Sequence, residues 1–216
     1  MWKLARTLLR GVALVGILGA AALPVRAADF DFLGNFQNDN DVLLIGFTVG
    51  GAVPSTVTVF SSSWLTGDPP AGFDVMLGIW DAAGNLIAFQ DDGGVVGTTN
   101  SNSVPYNHGA WDSYYTVNLN PGNYLASVTQ YDNFNNGATL AAGFRYDANP
   151  NFTFDLGYGG ATQPFFNGVW DSNDGRTSFW QFHLLNVESA SIPEPGTLAL
   201  LGLGLAGLAA SRRRKQ

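Results

Sequence analysis

Cysteine is absent from all 216 residues, which excludes thiol catalysis, disulfide bonds and cysteine-based metal sites. Basic residues are almost as scarce where a folded domain would sit. Eight of the ten lie near the two ends (Lys3, Arg6, Arg10, Arg26, Arg212, Arg213, Arg214 and Lys215), leaving only Arg145 and Arg176 between residues 28 and 192. Sixteen of the seventeen acidic residues share that stretch, so it carries a net charge of −14 and no lysine. Such a surface repels phosphate backbones, and no nucleic-acid partner is expected. Divalent cations and neutral sugars remain compatible with it. Histidine is reduced to His108 and His183, and no apolar pattern of helical period and useful length appears between the ends.

Both ends read as processing signals. Lys3, Arg6 and Arg10 precede an apolar run from Gly11 to Leu23, and Val25-Arg26-Ala27 offers small residues where a signal peptidase reads. Residues 1–27 are therefore expected to be a signal peptide, a helix removed by cleavage after Ala27. At the other end, Thr197 to Ala210 is continuously apolar. As a helix it would be about 21 Å long against a hydrocarbon core of about 30 Å, a short transmembrane span. The basic tail Arg212, Arg213, Arg214 and Lys215 would hold that end in the cytoplasm and place the preceding domain outside. Gly202, Gly204 and Gly207 satisfy G-x-G-x-x-G, but they lie inside this apolar run, without the strand–turn–helix setting a dinucleotide site needs.

Pro193-Glu194-Pro195-Gly196-Thr197, the apolar helix over 198–210 and the basic tail over 211–216 together resemble the PEP-CTERM sorting segment, also labelled an ice-binding protein C-terminal domain. The prolines keep the motif extended, as a processing enzyme requires. The resemblance covers residues 193–216. It implies recognition by an exosortase in the membrane of a Gram-negative bacterium that makes extracellular polysaccharide, and residence of the product in the envelope, outer surface or matrix.

Between the signals, residues 28–192 show short alternating segments rich in β-branched and aromatic residues, separated by Gly, Asn, Asp and Pro. Strands are predicted over 42–49, 55–62, 73–80, 85–90, 113–119, 124–131, 140–146 and 178–187. This spacing predicts an all-β fold, an antiparallel jelly-roll-like β-sandwich. Its buried faces would be Leu43, Ile45, Phe47 and Val49, then Val75, Leu77 and Ile79, then Trp180, Phe182 and Leu184. That parity points His183 to solvent and leaves His108 in a loop.

Asn38-Asp39-Asn40-Asp41, Gly72-Phe73-Asp74 through Ile79-Trp80-Asp81, Gly84-Asn85-Leu86-Ile87, Asp91-Asp92-Gly93 and Asn120-Pro121-Gly122-Asn123-Tyr124 are similar to the bacterial pre-peptidase C-terminal β-sandwich. That resemblance implies a non-catalytic module, some members of which bind calcium.

Candidate ligands for Ca²⁺ are Asp39 with Asp41, Asp91 with Asp92, and Asp171, Asn173 and Asp174 in the acidic loop before Gly175. Hard oxygen donors without cysteine suit that ion, although Asp and Asn also serve simply to make turns. Trp64 and Trp111, close to predicted loops, are candidates for stacking on a sugar face. Catalytic material is thin: no G-x-S-x-G occurs, and a Ser-His-Asp group would have to be assembled by the fold. The expected function is an exported, non-enzymatic envelope or matrix protein that binds polysaccharide. The alternatives are a surface glycan hydrolase built on paired carboxylates and a protein–protein docking module.

Overall fold

The computed structural model describes residues 27–65, 72–156 and 176–193. The expected signal helix, the sorting segment beyond Pro193 and the loop containing Asp171, Asn173 and Asp174 lie outside the described residues.

The described strands are β1 (Ala28–Asn35), β2 (Leu43–Val49), β3 (Ser55–Ser61), β4 (Val75–Asp81), β5 (Leu86–Gln90), β6 (Gly97–Ser101), β7 (Val104–His108), β8 (Tyr114–Leu119), β9 (Gly122–Gln130), β10 (Phe179–Val187) and β11 (Ser189–Ser191). β1 pairs with β10, β2 with β9, β3 with β8 and β4 with β5, always antiparallel. The chain is thus one long hairpin rolled so that its strand pairs fall alternately into two sheets, β1-β10-β3-β8 and β11-β2-β9-β4-β5. This is jelly-roll order.

Alternation within the strands builds the core. Ile45, Phe47 and Val49 of β2, Val57 and Val59 of β3, and Val75, Leu77 and Ile79 of β4 meet Trp180, Phe182 and Leu184 of β10 between the sheets. Each such side chain contributes about 1.5–3 kcal/mol when fully removed from water. Leu43, at the strand end, is only half-buried.

Each sheet is also covered on its outer face, which alternation alone does not reveal. Met76 and Trp80 point away from the core yet are fully buried. The Phe144 ring lies 6.4 Å from Trp80, and the indole N–H donates to Ser127 Oγ at 2.9 Å. Across the four-stranded sheet lies the β6–β7 hairpin, which pairs only with itself. Its two-residue turn, Asn102-Ser103, has φ of 50° and 68°, the left-handed pair a type I′ turn requires.

Three expectations are corrected. Residues 140–146 do not form a strand: a 3₁₀ turn at Leu140–Ala142 and a left-handed Gly143 (φ 72°) divert the chain. His183 has the expected outward parity but is fully buried, because the hairpin covers that face. His108 belongs to β7 and is buried rather than lying in a loop.

Candidate functional site

Antiparallel pairing of β4 and β5 brings together residues that are far apart in sequence. Asp74 leads into β4, Asp91 and Asp92 follow β5, and one carboxylate oxygen from each lies within 4.8 Å of the others. Burial, then the charges of Asp92 and Asp132, push the Asp91 carboxyl up to about 7. Its Oδ1 is buried and accepts no hydrogen bond among the described residues. A hard cation here would neutralise the repulsion and supply the missing partner. Asp74 was not among the sequence-nominated ligands; the β4–β5 hairpin was the signal that joins it to Asp91 and Asp92.

The other described nominees serve the backbone. Asp39 is fully buried, and its Oδ2 accepts from the Thr153 N–H at 3.2 Å and the Thr153 hydroxyl at 2.5 Å. Asp41 Oδ2 accepts the N–H groups of Gln37 at 2.6 Å and Asn38 at 3.0 Å, closing a turn. Neither belongs to the carboxylate cluster.

Trp64 and Trp111 meet, with ring centroids 5.9 Å apart and planes inclined by 46°. The buried Asp112 carboxylate ties their two loops, accepting from Trp64 N–H at 3.0 Å and Ser61 Oγ at 2.9 Å through Oδ1, and from Gly109 N–H at 2.8 Å through Oδ2. Burial raises its pKa against those hydrogen bonds. The Arg176 guanidinium sits 3.0 Å from the Trp64 ring centroid and donates to the carbonyls of Trp64 and Gly72, so one face of Trp64 is occupied. Trp111 is 46% exposed and Leu65, next to Trp64 in the chain, 48%.

The third constellation was not assembled by sequence reasoning. In the β1–β10 ladder Asp31 lies opposite His183, and His183 Nδ1 is 2.6 Å from Asp31 Oδ1. The other ring nitrogen, Nε2, is 2.8 Å from Ser62 Oγ, just beyond β3. The carboxylate can only accept, so Nδ1 carries the proton; in the neutral ring Nε2 then accepts from the serine hydroxyl, for whose one proton Gln181 Oε1, 3.0 Å from Ser62 Oγ, competes. Burial lowers the His183 pKa, with Asp31 opposing. Burial works to raise that of Asp31, but hydrogen bonds from His183 and Asn102 hold it below its ordinary value. Phe60 stacks on the imidazole at 4.3 Å and Tyr106 lies 4.0 Å from it.

Against known proteins, residues 191–215 match the family model of the PEP-CTERM protein-sorting motif. None of the curated proteins matches the chain. The motif marks an exported protein processed at the cell envelope, with exosortase as the implied processing partner.

Proposed function

We propose that the domain sorted by this motif is a matrix module that holds neutral polysaccharide, binding it without cleaving it. The observation that carries the reading is Trp111: a large, half-exposed ring braced by Trp64, whose own free movement is restricted by Arg176 and Asp112. Bare aromatic surface held rigid in this way suits a sugar face. The net charge of −14 over residues 28–192 favours neutral over acidic chains. Residence on the outer surface or in the matrix of a Gram-negative envelope, and kinship with the pre-peptidase C-terminal β-sandwich, belong to the same proposal. The test is retention of the purified full chain on neutral and on uronic-acid polysaccharides. Trp111→Ala should weaken neutral binding about tenfold, a loss of about 1.4 kcal/mol, with little change in unfolding temperature. Equal retention of the variant would remove the platform from the account.

A second reading rests on a separate observation. Asp74, Asp91 and Asp92 converge on one point, and we propose that they hold Ca²⁺ and stiffen the end of the β4–β5 hairpin. Calcium should then raise the unfolding midpoint relative to chelator, because a ligand of the folded form stabilises it.

A further inference from the structure

We infer that Ser62, His183 and Asp31 form a serine-nucleophile centre for small carboxylic esters, kept closed by the β6–β7 hairpin acting as a flap. This goes beyond polysaccharide binding and does not depend on it.

The geometry assigns each role. Asp31 fixes the imidazole through Nδ1–H, and Nε2 faces the Ser62 hydroxyl at 2.8 Å, within the distance over which a general base takes a proton. Phe60 and Tyr106 hold the ring plane from stacked and tilted positions. Gln181 Oε1 lies 3.0 Å from Ser62 Oγ, so its carboxamide is the group beside the nucleophile with N–H donors for an oxyanion once the amide turns. All of these lie on the outer face of a sheet whose cover could have been apolar, and the polar groups of the line are hydrogen-bonded to one another.

Ser62 and His183 are fully buried, so the centre works only when the cover moves. The hairpin is built to do so. It shares no ladder with either sheet, and its tip is held to β1 by Asn102, which donates to the Asp29 carbonyl at 3.1 Å and to Asp31 Oδ2 at 2.9 Å. Gly94, at φ 62° with open space around it, lies before the hairpin, while Gly109 after it is anchored through its N–H to Asp112.

In the reaction, Ser62 Oγ bonds to the ester carbonyl carbon while its proton passes to Nε2. The carbon–oxygen bond to the alcohol then breaks, and Nε2 returns the proton to the departing alkoxide. Water repeats the sequence on the acyl-serine, releasing the carboxylic acid and restoring the hydroxyl.

The test uses a small fluorophosphonate on the full chain, read by intact mass and peptide mapping. Labelling is expected at Ser62 and absent from Ser62→Ala. Asn102→Ala, which frees the flap tip, should label about tenfold faster, and His183→Gln about 10²–10⁴-fold slower. The wild-type rate should rise with pH and level off once His183 is neutral, which keeps the proposal testable where His183→Gln does not fold. Labelling spread over Ser61 and Ser63, an unlabelled Asn102→Ala protein, or a rate that climbs with hydroxide without levelling would each overturn it.

Discussion

The Tyr106 ring of the hairpin lies 4.0 Å from the His183 ring of the sheet beneath, and that imidazole bridges Asp31 and Ser62. His183 is faced by Asp31 from β1, by Tyr106 and His108 from β7 and by Ser62 after β3, with Asp112 the further carboxylate near His108. Its folded pKa is below 6.5, so as pH falls through 6.5 the unfolded chain takes up a proton that the folded chain refuses. Stability should fall from about pH 6.5 until the folded pKa is reached, then level off. Asp31, itself depressed, contributes stability present above 3.8 and lost only at lower pH. His183→Gln should remove the decline between pH 6.5 and 5, measured as the unfolding midpoint in Asp91→Asn protein to silence an opposing group.

That opposing group is Asp91. With its folded pKa raised to about 7 from 3.8, it holds a proton in the folded state that the unfolded state has lost. Its contribution is therefore full below 3.8 and disappears as pH rises to about 7. Asp91→Asn should be more stable than wild type at pH 8 and equal to it near pH 4. Calcium requires the ionised carboxylate, so its stabilising effect should be greater at pH 8 than at pH 5.5 and absent from Asp91→Asn. An undiminished calcium effect in that variant would move the ion to other ligands, with Asp171→Asn and Asp174→Asn the next comparison.

The two-sheet core was legible because period-two alternation reports burial directly: Ile45, Phe47, Val75, Leu77, Phe182 and Leu184 all face inward as their spacing requires. What covers the outer faces was not. Thr98 and Asn107, paired across β6 and β7, look like loop residues, and nothing local says that Tyr106 and His108 of the same hairpin will roof a sheet. For the same reason His183 was legible in direction but not in burial. The β1 pattern, Phe30 and Phe32 inward with Asp29 and Asp31 outward, was present but lay against the expected cleavage point. Site residues failed where they depended on pairing: Asp74 joins Asp91 only through the β4–β5 ladder, and Asp31 joins His183 only through β1–β10.

Gly78 of β4 lies opposite Ser127 of β9, beneath the Trp80 indole. A Cβ there would lie 2.6 Å from Ser127 Oγ and 2.9 Å from Trp80 Nε1, the two atoms of a buried hydrogen bond. Gly78→Ala should cost about 1–3 kcal/mol by overpacking, read as a lower urea midpoint with unchanged slope. Pairing it with Ser127→Ala removes one clash but leaves the indole N–H without its acceptor, so recovery should be partial.

Asp132 is nearly buried, and Arg145 Nη1 donates to both its oxygens, at 2.6 and 2.7 Å, with the Tyr146 hydroxyl donating at 3.2 Å. Because the arginine is half-exposed, the pair itself contributes little; the greater effect comes from leaving the carboxylate uncompensated. Arg145→Ala should therefore cost about 1–3 kcal/mol, and adding Asp132→Asn should recover a large part of it. The same charge helps hold a proton on Asp91, so Asp132→Asn should also lower the pH at which Asp91 ionises. A carboxyl titration of Asp91 by NMR in the two proteins measures that shift, and an unchanged midpoint would separate the Arg145 side of the outer layer from the carboxylate cluster.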